Sequence, residues 1–265
     1  MIINHDFRFS FLHIPKCGGT SIRKYLLPFD SLEGNFDKRV DNHPALGKLD
    51  YVHIPLFTLR DHFPEEFDVV CSYWSFAVIR DPLIRFASSI SQRLDMYSDH
   101  PIRRLGVCEV EKEIGETLEF LDRQPLGNNL LPPEYIHFQK QVDYIMLDGQ
   151  KVIDTVYRID DLDILIKDVG RCIGKPLATV RKTPYVANKS VAYKSEMFGK
   201  VIDASIPFTG FLVRRLPDPI KQAIVHRMFV PLNAKFKHCF NEPHVVEFIK
   251  RYYARDIRIW QNCGA

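Results

Sequence analysis

No stretch of this 265-residue chain approaches the roughly 18 uninterrupted apolar residues that a membrane-spanning helix needs. The opening residues, MIINHDFRFSFLHIPK, lack a basic segment followed by a long apolar one, so no export signal is read there. The six cysteines, Cys17, Cys71, Cys108, Cys172, Cys239 and Cys263, form no CxxC pair and no zinc-finger spacing, and no other metal-ligand cluster is visible. Scattered thiols in a chain of this length point to a reducing compartment, the cytoplasm. Glycine (13) and proline (17) are too few for a collagen-like or low-complexity chain, while 46% hydrophobic and 26% charged residues are ordinary for a globular protein. A single domain over residues 1–265 is expected.

The net charge is only +3, but residues 181–265 hold 15 Lys and Arg against 6 Asp and Glu, which concentrates a basic field in the last third. Such a field suits an anionic ligand or partner. No nucleic-acid recognition motif accompanies it, so nucleic acid is not expected as the partner.

The apolar run of FRFSFLHIPK enters Lys16-Cys17-Gly18-Gly19-Thr20-Ser21, and a helix is predicted to open near Thr20 or Ser21. A second apolar run over residues 74–79 is followed by Arg80-Asp81-Pro82, with Pro82 suited to the first turn of the helix LIRFASSISQRL. Two strand-to-helix units of this kind predict an α/β fold with a central parallel sheet flanked by helices. Residues 35–48 read as loop, 51–54 as a short extended piece, 57–62 and 110–123 as helices, and Asp148-Gly149 as the turn of a hairpin between VDYIML and KVIDTVYRI. Helices are also predicted from Asp160 or Asp161 to Gly174, over 219–229 and over 245–260.

The first turn carries the chemistry of an anion site: unpaired helix N–H groups, glycines that allow close approach, hydroxyls and a lysine. The GxxxxGK[ST] order of a Walker A loop is missing, because Lys16 precedes the glycines, so nucleoside triphosphate hydrolysis loses its main support.

On these residues the sequence resembles the sulfotransferases that use 3'-phosphoadenosine 5'-phosphosulfate (PAPS), most closely the carbohydrate-type branch (sulfotransferase family 2-like). HIPKCGGTSI is similar to that family's loop for the 5'-phosphosulfate, built here from Lys16, Cys17, Gly18, Gly19, Thr20 and Ser21. FAVIRDPLIRFASS is similar to its 3'-phosphate motif, which places Arg80 and Ser88 on that group. A planar guanidinium is well matched to a phosphate, and eight residues bring Ser88 round two helical turns. The resemblance implies a P-loop-type sheet, PAPS as co-substrate, 3'-phosphoadenosine 5'-phosphate (PAP) as product and no metal. It also implies that His53 in YVHIPLF is the general base and Lys16 the stabiliser of the leaving phosphate, with His13 and the more distant His137 as rival bases. ANKS, residues 187–190, resembles the late loop that closes over the nucleotide, which adds Lys189 and Ser190 as contacts. The implied acceptor is a hydroxyl, with a polysaccharide first; Arg93, Arg103, Arg104 and Lys140 could meet an anionic one. Animal enzymes of this kind carry an N-terminal anchor, so a soluble bacterial enzyme is expected ahead of a trimmed Golgi-type domain.

Cys17 keeps a second reading open. Cys17 to Arg23 is a C-x5-R pattern, as in low-molecular-weight phosphatases, with Asp81-Pro82 as the source of a general acid and a helix N-terminus to lower the thiol pKa. A nucleotide-binding protein without catalysis is the third class.

Overall fold

The computed structural model describes residues 1–98, 105–176, 191–193 and 229–263. Their order is β1 (Ile2–Asn4), β2 (Phe9–Leu12), α1 (Gly19–Leu26), β3 (Val40–His43), β4 (Gly47–Asp50), α2 (Leu56–His62), α3 (Pro64–Ser72), β5 (Trp74–Ile79), α4 (Pro82–Tyr97), α5 (Val107–Asp122), β6 (Met146–Leu147), β7 (Gln150–Lys151), β8 (Thr155–Arg158) and α6 (Leu162–Cys172). There follow β9 (Val191–Tyr193), β10 (Phe229–Pro231), α7 (Leu232–Lys235), α8 (Lys237–Phe240), α9 (Pro243–Tyr252) and α10 (Ala254–Asn262). Contacts divide the chain into two compact units, one of Met1–Phe86, Gln124–Ala187 and Ile249–Ala265, the other of Ala87–Arg123 and Asn188–Phe248.

The first unit is built on a four-stranded sheet in the order β1-β2-β5-β8. β2 runs parallel to β5, with Phe9 opposite Trp74 and Leu12 opposite Ala77, and β5 runs parallel to β8. All four residues of β2 and all but the first of β5 are buried, as strands covered on both faces must be. Phe9, Phe11 and Phe76 anchor the core around them, and burying each such ring is worth about 1.5–3 kcal/mol.

The expected all-parallel sheet is corrected at one edge, because β1 pairs antiparallel to β2 (Ile2 opposite Phe11) and the sheet is mixed. Asn4 makes the reversal: its Oδ1 accepts from the Phe7 amide at 2.6 Å and its Nδ2 donates to the Phe29 carbonyl at 2.7 Å. Arg8 then takes a left-handed backbone (φ 52°) to re-enter the sheet.

Three other expectations change. Residues 35–48, read as loop, contain β3 and most of the hairpin it forms with β4, Val40 opposite Asp50. The VDYIML half of the expected second hairpin is a 3-10 turn, Gln141–Tyr144, that leaves only two residues for β6. The helix expected over 245–260 is broken at Tyr253 into α9 and α10. The helix expected over 219–229 lies outside the described residues apart from Phe229, which opens β10.

In the second unit α5 buries Val110, Ile114, Thr117 and Leu121 along one stripe, which is the helical spacing its sequence carries. Arg93 donates to Glu113 at 2.5 Å, so it is engaged in an ion pair of that unit rather than extended toward an acceptor.

Candidate active site

β2 delivers the chain into a turn whose backbone is left-handed at Lys16 (φ 63°) and again at Gly18 (φ 79°). Gly18 is the N-cap of α1 and provides no side-chain cap. A Cβ there would sit 3.1 Å from Ile159 Cδ1, and one on Gly19 would overlap the His13 imidazole. Gly18 is thus demanded by its conformation and Gly19 by packing. The Ser21 and Ile22 amides bond back to the Gly18 carbonyl at 3.0 and 3.5 Å, which leaves the amides of Gly19 and Thr20 at the head of the helix. Thr20 is exposed, and Lys16 and Ser21 are half-buried. The structure therefore assembles Lys16, Gly18, Gly19, Thr20 and Ser21 into one anion-suited helix head.

Arg80 follows β5, the strand adjacent to β2, and its guanidinium donates to the Lys16 carbonyl at 3.3 Å. The two sequence motifs meet in that contact. Asp81 Oδ1 accepts from the Leu83 and Ile84 amides at 2.9 and 3.0 Å, a side-chain cap on α4. Ser88 lies two turns along α4 and is half-buried.

Cys17 points inward. Its thiol donates to Gln141 Oε1 at 3.2 Å, and burial pushes its pKa up to about 12. Arg23 pairs with Asp37, and Asp81 is committed to the cap. The phosphatase reading is overturned on all three of its residues, since a nucleophilic thiol needs a lowered pKa and a nearby arginine. Cys17 can still contribute its backbone to the loop, as the sulfotransferase reading requires.

Three histidines, far apart in sequence, come together: the rings of His13 and His53 are 4.6 Å apart and those of His53 and His137 5.6 Å apart, and all three are buried. Burial is the main cause that lowers the pKa of each, opposed at His53 by Asp50. Burial thus favours the neutral imidazole, the state a proton acceptor needs. Asp50 Oδ2 lies 3.2 Å from His53 Nδ1, off the line of a good hydrogen bond. Asp50 is held in turn by the Val52 amide at 3.0 Å, and Tyr144 donates to the His53 carbonyl at 3.3 Å. The Lys16 charge adds to the lowering at His137.

Lys140 lies over the Tyr252 ring at 4.4 Å, a cation–π contact rather than an extended arm. Lys189, Ser190, Arg103 and Arg104 lie outside the described residues. Sequence reasoning missed Asp50 and Gln141. Asp50 had a faint signal, three residues before His53 in LDYVH; Gln141 had none, because its partners are 61 and 124 residues away.

Residues 1–109 match the model of the sulfotransferase family. This chain is sulfotransferase-like over that stretch. The matched stretch contains Lys16 to Ser21, His53, Arg80 and Ser88. No curated protein and no solved structure matches the chain. Among the described residues no helix is long and apolar enough to cross a membrane, and no group of three or more His, Cys, Asp or Glu could hold a metal ion.

Proposed function

We propose that the protein is a PAPS-dependent sulfotransferase that acts on a hydroxyl acceptor, with carbohydrates as the first acceptor class, and that the whole chain serves as one catalytic domain of P-loop type. The observation that carries this reading is the Arg80–Lys16 contact at 3.3 Å, which joins the two family motifs at the carboxyl ends of adjacent parallel strands. The residues fit such a donor: the glycine-lined head of α1 suits the 5'-phosphosulfate and Arg80 suits the 3'-phosphate, to which the sequence resemblance adds Ser88. Six free thiols fit a reducing compartment such as the cytoplasm.

The donor supplies a sulfuryl group whose bond from sulfur to the bridging phosphate oxygen breaks as the acceptor oxygen bonds to sulfur. His53 takes the hydroxyl proton. Asp50, with a carboxylate oxygen 3.2 Å from His53 Nδ1, steadies the imidazolium that results. Lys16 and the loop amides offset the negative charge that grows on the leaving phosphate. Asp50 is thus a positioning residue, and His53 and Lys16 are the catalytic ones.

The test is sulfuryl transfer from PAPS to a panel of hydroxyl acceptors. His53→Ala is expected to keep PAP binding while turnover falls by about 100-fold or more. Full activity in that variant on a genuine acceptor would move the base elsewhere, with His13 next.

A further inference from the structure

Gln141 is almost fully buried, and its carboxamide is spent on the two loops of the candidate site. Oε1 accepts from the Arg80 amide at 2.9 Å and from the Cys17 thiol at 3.2 Å, while Nε2 donates to the Arg80 carbonyl at 2.9 Å. A single side chain thus does for Arg80 what a neighbouring strand would do, satisfying its N–H and its C=O together, just where β5 has ended. The same oxygen reaches the loop after β2 through Cys17.

Gln141 is itself held. Its amide and that of Val142 donate to the two oxygens of Asp256 at 2.8 and 3.0 Å. Asp256 is buried, and the fully buried Arg85 lies 3.8 Å away. Arg85 donates to the His137 carbonyl at 3.1 Å and lies over the Tyr253 ring. A continuous polar chain therefore runs from α10 through the 3-10 turn to the backbone that launches the Arg80 side chain.

We infer that Gln141 is a positioning residue for the donor site: by clamping the Arg80 backbone and the Cys17 thiol together, it sets where the Arg80 guanidinium stands relative to the loop after β2. This rests on the PAPS reading, since the Arg80 guanidinium is what grips the 3'-phosphate there. Two of the three carboxamide bonds are to Arg80, so the effect of losing them falls on discrimination for the 3'-phosphate. An apolar side chain of similar size would fill the space but leave a buried N–H and C=O unsatisfied.

The experiment is calorimetric titration of the wild-type protein, Gln141→Met and Gln141→Glu with PAP and with adenosine 5'-monophosphate, which lacks the 3'-phosphate. For folded Gln141→Met the preference for PAP over the monophosphate is expected to fall by about tenfold. A merely structural glutamine would lower the melting temperature and leave that preference intact, and this result overturns the inference. Where Gln141→Met does not fold, Gln141→Glu decides. Its neutral acid can both donate to and accept from Arg80, so the preference should be lost at pH 8 and recover toward wild type at pH 5.5. The wild type at each pH corrects for Asp143, Asp256 and the three histidines, and absence of recovery overturns the inference. A wild-type protein that does not prefer PAP overturns the donor reading first, and the inference with it.

Discussion

The backbone of Gly19 lies against the imidazole of His13 so closely that a Cβ on residue 19 would overlap the ring. The first turn of α1 and the histidine cluster are therefore one packed unit. Gly19→Ala is expected to cost about 1–3 kcal/mol in stability, the range for overpacking, and to weaken PAP binding as the loop shifts. In a double-mutant cycle His13→Ala should recover much of the Gly19→Ala loss, read from urea unfolding; simple additivity would show that the two residues do not touch.

Removing the arginine tests the second motif. Arg80→Ala should weaken PAP by about 1.5–3 kcal/mol, the range for a hydrogen bond to a charged group. The change should be far smaller for adenosine 5'-monophosphate. Equal losses for the two ligands would mean that Arg80 acts on the fold and not on the 3'-phosphate.

The buried Cys17 thiol, with its pKa pushed up to about 12, should resist alkylation at pH 8 while the exposed Cys71 and Cys108 react. Mass spectrometry of the labelled peptides reads this directly. Cys17→Ser should keep sulfuryl transfer, because a serine hydroxyl can still donate to Gln141 and the sulfur itself takes no part in the chemistry; loss of activity without loss of folding would restore a chemical role for the sulfur.

Both strand-to-helix units were legible in the sequence because local signals agree there. Largely apolar stretches, interrupted only by Ser10 and Ser75 within the strands, mark β2 and β5, Gly18 and Gly19 mark the first turn, and Pro82 opens α4. β1 was missed because three residues carry no period of their own and are placed by the Asn4 side chain. The β3–β4 hairpin was missed because β3 is largely exposed and polar, VDNH. In the stretch 141–144 the apolar alternation suggested a strand, but Asp256, more than a hundred residues away, gathers two of its amides into a tight turn. The break at Tyr253 is likewise tertiary, with its hydroxyl bonded to the Phe138 carbonyl at 2.8 Å. The candidate site divides the same way: Lys16, Arg80 and each histidine stood out singly, whereas the histidine cluster and the Gln141 clamp exist only in three dimensions.

The buried histidines also make stability depend on pH. An unfolded histidine takes up a proton near pH 6.5, while His13, with its pKa well below that value chiefly through burial, stays neutral in the folded protein. The unfolded state thus binds more protons as pH falls through 6.5, and His13 costs stability there by up to about 1.4 kcal/mol per pH unit. Asp143, raised to about 6 by burial, takes up a proton in the folded state and works the opposite way. The informative quantity is therefore a difference: between pH 7.5 and 5.5 the change in the urea midpoint should be more favourable in His13→Gln than in wild type. Identical changes would show that His13 titrates normally.

The most direct measurement is calorimetric titration of the wild-type protein with PAP, with adenosine 5'-monophosphate as the control. If the two loops joined by Arg80 and Lys16 form the donor site, PAP binds and loss of the 3'-phosphate weakens binding by about tenfold or more. Absence of PAP binding to folded protein, or equal affinity for the two nucleotides, would contradict a PAPS-dependent sulfotransferase.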